Sequence, residues 1–185
     1  METLPVVETL QVRGSWKVAD LEALPDDGRR YELIDGALVV SPAPRPVHQE
    51  VVVRLWQLLD AAAPDHLAVH VAPLDVVLDD DTVAQPDVLV APREAFSEVN
   101  LPEAPLLAVE VLSPGTAILD LNVKKARYER AGIASYWIVD PESLRLTAYE
   151  LGEGVYSVVA EVGADETWTA QQPFEVTITP GELKR

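Results

Sequence analysis

Cysteine is absent from all 185 residues. That excludes disulfides and thiolate metal sites, and it fits a cytoplasmic location. No apolar run approaches the roughly 20 residues a membrane-spanning helix needs, so no membrane partner is expected. The N-terminus, Met1-Glu2-Thr3-Leu4-Pro5, has neither the basic segment nor the long apolar segment of a secretory leader. Basic residues are scarce: 14 Lys and Arg face 31 Asp and Glu, a formal charge of −17. Binding of bulk nucleic acid rests on Lys and Arg neutralising phosphates, so the balance argues against it and is read most simply as solubility. Internal repeats, low-complexity tracts and long linkers are missing, as is a Gly-rich phosphate loop. Ser113, in Leu112-Ser113-Pro114-Gly115, lacks the flanking glycines of a nucleophile elbow. His48, His66 and His70 do not share a spacing that suggests zinc.

What is present is a 48% apolar chain of single-domain size, so a packed core is expected. Ser15 is placed to cap a short helix reaching about Leu24, with Val18, Leu21 and Leu24 inward. Tyr31 to Val40 reads as a hairpin about Asp35-Gly36, a pair suited to a type I′ turn. Val47, Val51, Leu55, Leu58 and Leu59 form a helical stripe within 46–62. Strands follow near 67–72 and 73–78, with Asp79-Asp80-Asp81 as a solvated turn, then at 87–91 and 106–112. A helix over 117–131 ends at Gly132, and Gly36 and Gly115 are further turn or cap glycines. Its apolar stripe, Leu119, Val123 and Ala126, is expected to pack on a sheet. Tyr136-Trp137-Ile138-Val139-Asp140 is a strand, and 144–151, 155–161 and 174–178 read as strands around turns. The pattern is α/β (α+β): a mixed sheet flanked by helices, with extra antiparallel strands at the C-terminus. The unit from 106 to 139 is a βαβ unit with parallel strands. One domain over 1–185 is expected, with its core at about 30–140 and a β extension at 141–180.

Two acids interrupt apolar strands: Asp87 in Gln85-Pro86-Asp87-Val88-Leu89 and Glu110 in Ala108-Val109-Glu110-Val111-Leu112. A buried ionised carboxylate needs compensation. Alternation puts Glu110 on a face with Ala108 and Leu112, and Asp87 on a face with Leu89 and Ala91. On adjacent strands the pair could share one divalent cation, completed by water and a phosphate oxygen in the manner of Mg²⁺. The plainer alternative is two strand-end acids bonded to backbone or arginine. Asp120, Lys124 and Tyr128 lie at i, i+4 and i+8 on one helical stripe, where Asp and Lys could equally form a surface ion pair. Lys124, Lys125, Arg127 and Arg130 concentrate positive charge there, so a polyanion would meet this helix. Glu32 lies in the hairpin, and His48 opens the long helix as a boundary residue or a ligand.

In order, Glu32-Leu33-Ile34-Asp35-Gly36, His48, Pro86-Asp87-Val88, Val109-Glu110-Val111-Leu112-Ser113-Pro114, Asp120 with Lys124 and Tyr128, and Tyr136-Trp137-Ile138-Val139-Asp140-Pro141 resemble the Uma-two family of restriction endonuclease-like proteins, over roughly 15–180. The resemblance implies the PD-(D/E)xK nuclease fold and a metal-dependent phosphodiesterase. It makes Asp87 and Glu110 ligands of Mg²⁺ (or Mn²⁺), with the Val111 carbonyl as a third. Glu32 matches the upstream glutamate beside the metal. The lysine expected two residues after Glu110 is replaced by Leu112, which makes Lys124 on the following helix the candidate. Glu32, Asp87, Glu110 and Lys124 are thus the implied catalytic set, with His48, Asp120 and Tyr128 secondary. The implied partner is nucleic acid, with DNA preferred, handled by a homodimer or higher homo-oligomer. A catalytically silent oligomer retaining the fold is the alternative, favoured by the acidic charge. An acidic protein-binding module would instead expose Trp137, Tyr149 and Tyr156, which are read more simply as core.

Overall fold

Asp35 and Gly36 turn the first hairpin with φ of 49° and 72°. Positive φ at both central positions is what a type I′ turn requires. The computed structural model describes residues 15–21, 23–24, 27–41, 43–113 and 119–184, without the side chains of 119–121. The expected turn glycine Gly115, the start of the helix expected at 117 and the side chain of Asp120 lie outside that description. The hairpin joins β1 (Arg30–Ile34) to β2 (Ala37–Ser41). With β4 (Val76–Asp79) and β5 (Thr82–Ala84) it forms a four-stranded sheet of order β2-β1-β5-β4. Asp80 and Asp81 form the expected turn between β4 and β5.

The second sheet has six strands. They are β3 (Leu67–Val71), β6 (Val88–Pro92), β7 (Leu107–Val111), β8 (Ser135–Asp140), β9 (Arg145–Gly152) and β10 (Val155–Val162), in the order β10-β9-β8-β7-β6-β3. β7 and β8 run parallel, as a strand-helix-strand unit requires, and the other neighbours are antiparallel. β9 and β10 therefore continue the central sheet. A small pair, β11 (Trp168–Ala170) with β12 (Val176–Ile178), completes the strands. β5 and β11 were not anticipated. Each has three residues, too few for alternation to register.

The long helix α2 occupies Pro46–Ala62, the expected span, with proline pre-set for its first turn. Its Val51, Leu55 and Leu59 are wholly buried against Val88, Val109 and Trp137 on one face of the large sheet. Each such side chain contributes about 1.5–3 kcal/mol. The other face carries Leu89, Ala108, Tyr136 and Ile138. Trp137 and Tyr156 are buried and Tyr149 is half-buried, the Tyr149 ring stacked on Tyr136 and the Tyr156 ring tilted against it. These aromatics thus offer no exposed docking patch.

Two helical expectations need correction. The N-terminal helix is one turn, α1 (Val18–Leu21), and buries none of its residues. Val18, Leu21 and Leu24 are all only half-buried, so no packed stripe sustains a longer helix. The helix after β7 is a π-helical segment, Leu119–Lys124, followed by α3 (Lys125–Ala131), which ends at Gly132 with φ 80°. Its amphipathicity is the reverse of that expected. Val123 is 38% exposed and Ala126 is exposed, whereas Lys124 and Tyr128 are buried. The polar stripe turns inward because it has buried carboxylates to meet.

Candidate active site

The large sheet brings the two acids together through its register. Val88 pairs with Val109 and Leu89 with Ala108. One step further, Asp87 falls opposite Glu110, and opposed residues project to the same face with Cβ atoms about 4.5–5.5 Å apart. Both are buried, at 4% and 1% exposure. Asp87 ends the short link Gln85-Pro86-Asp87 between β5 in one sheet and β6 in the other, so the site sits where the two sheets join.

Each carboxylate is held by named donors. Asp87 Oδ2 accepts from the Val111 backbone N–H at 2.8 Å and contacts His48 Nε2 at 3.1 Å. Asp87 Oδ1 accepts from Arg30 Nη1 at 3.1 Å. Glu110 Oε1 accepts from Lys124 Nζ at 3.1 Å and from the Tyr128 hydroxyl at 2.6 Å. Glu32 Oε1 accepts from the Gln85 N–H at 2.8 Å and lies 2.9 Å from Lys124 Nζ. Lys124 thus bridges two buried carboxylates and is itself buried. Glu32 is likewise a site residue and not a surface acid. His48 makes no helix cap; it reaches Asp87 from the first turn of α2.

Neighbouring charges and donors hold Asp87 and Glu32 ionised. Burial pushes Asp87 up, but the His48 hydrogen bond and the Arg30 charge outweigh it and leave its pKa at about 2. Burial likewise opposes ionisation of Glu32, but Lys124, then Arg30, and the Gln85 N–H hold it below its ordinary value. Tyr128 moves the other way. Burial, with Glu110 and Glu32 nearby, lifts its pKa well above 10, so it stays a proton donor to Glu110.

Arg30 is the participant that sequence reasoning missed. The available signal was alternation: it lies two residues before Glu32, hence on the same face of β1. Its Nη2 also meets the Gln85 carbonyl and lies 3.7 Å from Glu32 Oε1. The basic cluster on the helix is engaged within the protein. Lys125 lies 4.2 Å over the Tyr149 ring, and Arg127 and Arg130 both pair with Asp35. That leaves less positive surface there than the sequence suggested.

The residues fit a hard divalent cation. All the anionic donors are carboxylate oxygens, the chemistry that Mg²⁺ and Mn²⁺ take. Among the described residues no group of three or more His, Cys, Asp or Glu forms a ready-made cage. A Mg²⁺ site commonly uses one or two carboxylates and leaves the remaining positions to water and phosphate. In a strand the amide and carbonyl of one residue face the same neighbour. The Val111 amide bonded to Asp87 therefore aims the Val111 carbonyl toward that side as well.

A two-sheet α+β core with paired strand carboxylates at its junction defines a restriction-endonuclease-like fold. A crystal structure described as "a putative nuclease belonging to DUF820", from Anabaena variabilis, is similar to this chain with a TM-score of 0.72. The two share 16% identity over 90% of this chain and 96% of that one, a likeness of fold. The chain belongs to the Uma2 family, described as "Putative restriction endonuclease", which matches residues 18–181. No curated protein matches it. No helix among the described residues is long and apolar enough to cross a membrane.

Proposed function

We propose that this protein is a metal-dependent endonuclease that hydrolyses phosphodiester bonds in DNA, using Mg²⁺ or Mn²⁺ at Asp87 and Glu110. The observation that carries this reading is the convergence of Glu32, Asp87, Glu110 and Lys124 on one buried cluster. Burying three carboxylates is costly, and packing alone gives no reason to assemble them. Family membership supports the same chemistry. The cation, when bound, supplies charge stabilisation at the phosphate and lowers the pKa of water. Lys124 positions Glu32 and Glu110 and offsets charge on the attacked phosphate. His48 and the Val111 amide fix the Asp87 carboxylate, while Tyr128 fixes Glu110. Two copies in a homodimer would supply one site per DNA strand.

The test is nicking of supercoiled plasmid and cleavage of single-stranded DNA with Mg²⁺ or Mn²⁺, comparing wild type with Asp87→Asn and Lys124→Ala. Cleavage that requires the cation and both side chains is expected. Cleavage indifferent to both substitutions refutes the site. No cleavage of any nucleic acid favours the catalytically silent reading.

A further inference from the structure

Arg30 stands in this cluster without a part in the reaction just described. Its side chain is 24% exposed, whereas none of Glu32, Asp87, Glu110 and Lys124 exceeds 5%. It bonds Asp87 Oδ1 and the Gln85 carbonyl and lies within 3.7 Å of Glu32. Its Nε is buried with no hydrogen-bond partner among the described residues. The guanidinium is thus incompletely satisfied where it sits.

We propose that Arg30 is a cationic placeholder for the divalent metal, neutralising Asp87 in the metal-free protein and leaving Asp87 Oδ1 when the cation binds. This rests on the metal-dependent reading of Asp87 and Glu110 above. The two Asp87 oxygens are not equivalent. Oδ2 takes two donors, the Val111 amide and His48, which a strand and a helix hold in place. Among the described residues Oδ1 takes only Arg30, from a side chain that reaches solvent. The oxygen open to exchange is therefore the one the guanidinium occupies. Three carboxylates against Arg30 and Lys124 leave the cluster net negative. A divalent ion added with both side chains in place would make it net positive, with like charges in contact on one oxygen. Lys124 is enclosed between Glu32 and Glu110, so Arg30 is the cation that can yield. Glu32, already close, gives it an anionic neighbour to fall back on.

The test is Mn²⁺ titration of the intact chain, by calorimetry or by loss of the free-ion paramagnetic resonance signal. It compares wild type, Arg30→Gln, Arg30→Lys and Asp87→Asn. Arg30→Gln, which keeps a donor for the Gln85 carbonyl and loses the charge, should bind Mn²⁺ on the order of tenfold tighter than wild type, the weight of one competing charge-assisted bond. Arg30→Lys should return the affinity toward wild type. Arg30→Gln binding no tighter, with wild-type binding abolished by Asp87→Asn, overturns the placeholder and leaves the metal reading standing. Binding that survives Asp87→Asn, or is absent from wild type and Arg30→Gln alike, overturns both. A second measurement needs no variant to fold. The Arg30 Nε–H resonance of ¹⁵N-labelled wild type should shift on saturation with Mg²⁺, and a resonance that does not move overturns the placeholder.

Discussion

Replacing Lys124 by methionine removes one charge and almost no volume, so its consequences isolate the electrostatics of the cluster. Lys124 Nζ lies 2.9 Å from Glu32 Oε1 and 3.1 Å from Glu110 Oε1, and all three side chains are at most 3% exposed. Breaking a buried ion pair by deleting one partner costs about 3–5 kcal/mol, because the other charge stays buried and unpaired. Here two carboxylates lose the same partner, so the upper part of that range is expected at pH 8. For a chain of this size that corresponds to a fall in Tm of roughly 6–20 °C. The cost should depend on pH, and its sign follows from Glu32. In the wild type the folded Glu32 pKa is depressed, so its stabilisation is present above the unfolded value and is lost as pH falls through the folded one. Without Lys124, of the groups named as holding Glu32 down Arg30 and the Gln85 N–H remain against burial, so its folded pKa moves up from the wild-type position. The variant then takes up a proton more readily than wild type as pH falls from 8 toward 5, so its deficit shrinks. Urea unfolding of both proteins across pH 5–8 should show the gap narrowing toward acid. A cost below about 1 kcal/mol, or one constant across that window, would refute the buried bridge. Adding Glu32→Gln to Lys124→Met should recover part of the loss, since the two changes share one interaction.

Asp87 supplies a second pH signature. Its pKa of about 2 against an ordinary 3.8 corresponds to stability on the order of 2 kcal/mol, present above about pH 4 and lost as pH falls toward 2. Acid unfolding of wild type should show this slope, and Asp87→Asn should lack it; an unchanged acid limb would count against the His48 and Arg30 contacts. Tyr128→Phe deletes a 2.6 Å bond to a buried carboxylate and should cost about 1.5–3 kcal/mol in denaturant unfolding. Ultraviolet titration of wild type should find Tyr128 and Tyr156 still protonated well above pH 10, and Tyr128→Phe should remove one tyrosine from that late-titrating set.

The parts legible in sequence were those with strong local physics. Helix α2 announces itself through Pro46 and a continuous apolar stripe, and its bounds agree with the structure. The first hairpin is written in Asp35-Gly36, whose φ values few other pairs tolerate. Asp87 and Glu110 stood out because each breaks an apolar strand, and the sheet register then opposes them. What stayed hidden depends on contacts between distant segments. Arg30 looks like one more loop-edge base until Gln85 and Asp87, more than fifty residues away, close around it. The helix after β7 was read backwards because amphipathic patterns assume a uniformly apolar interior. Here the buried partners of Lys124 and Tyr128 are carboxylates, and Val123 is left outside.

That reversal explains where the lysine of the site comes from. Leu112 holds the strand position two residues beyond Glu110 and packs with Ala108 and Tyr136 on the site's face of the sheet. A lysine there would sit on the same strand as its carboxylate, placed by β7 alone. Lys124 instead reaches Glu110 and Glu32 at the junction between the π-helical segment and α3. Such widened turns recur at functional sites. One lysine therefore ties a strand of each sheet to a helix that follows both. The same helix is fastened to the β1–β2 turn through Arg127, Arg130 and Asp35. Loosening the helix would separate Lys124 from both carboxylates at once. The charge balance of the site is thus coupled to helix docking, which makes the helix-to-hairpin contact the structural point on which a competent cluster depends.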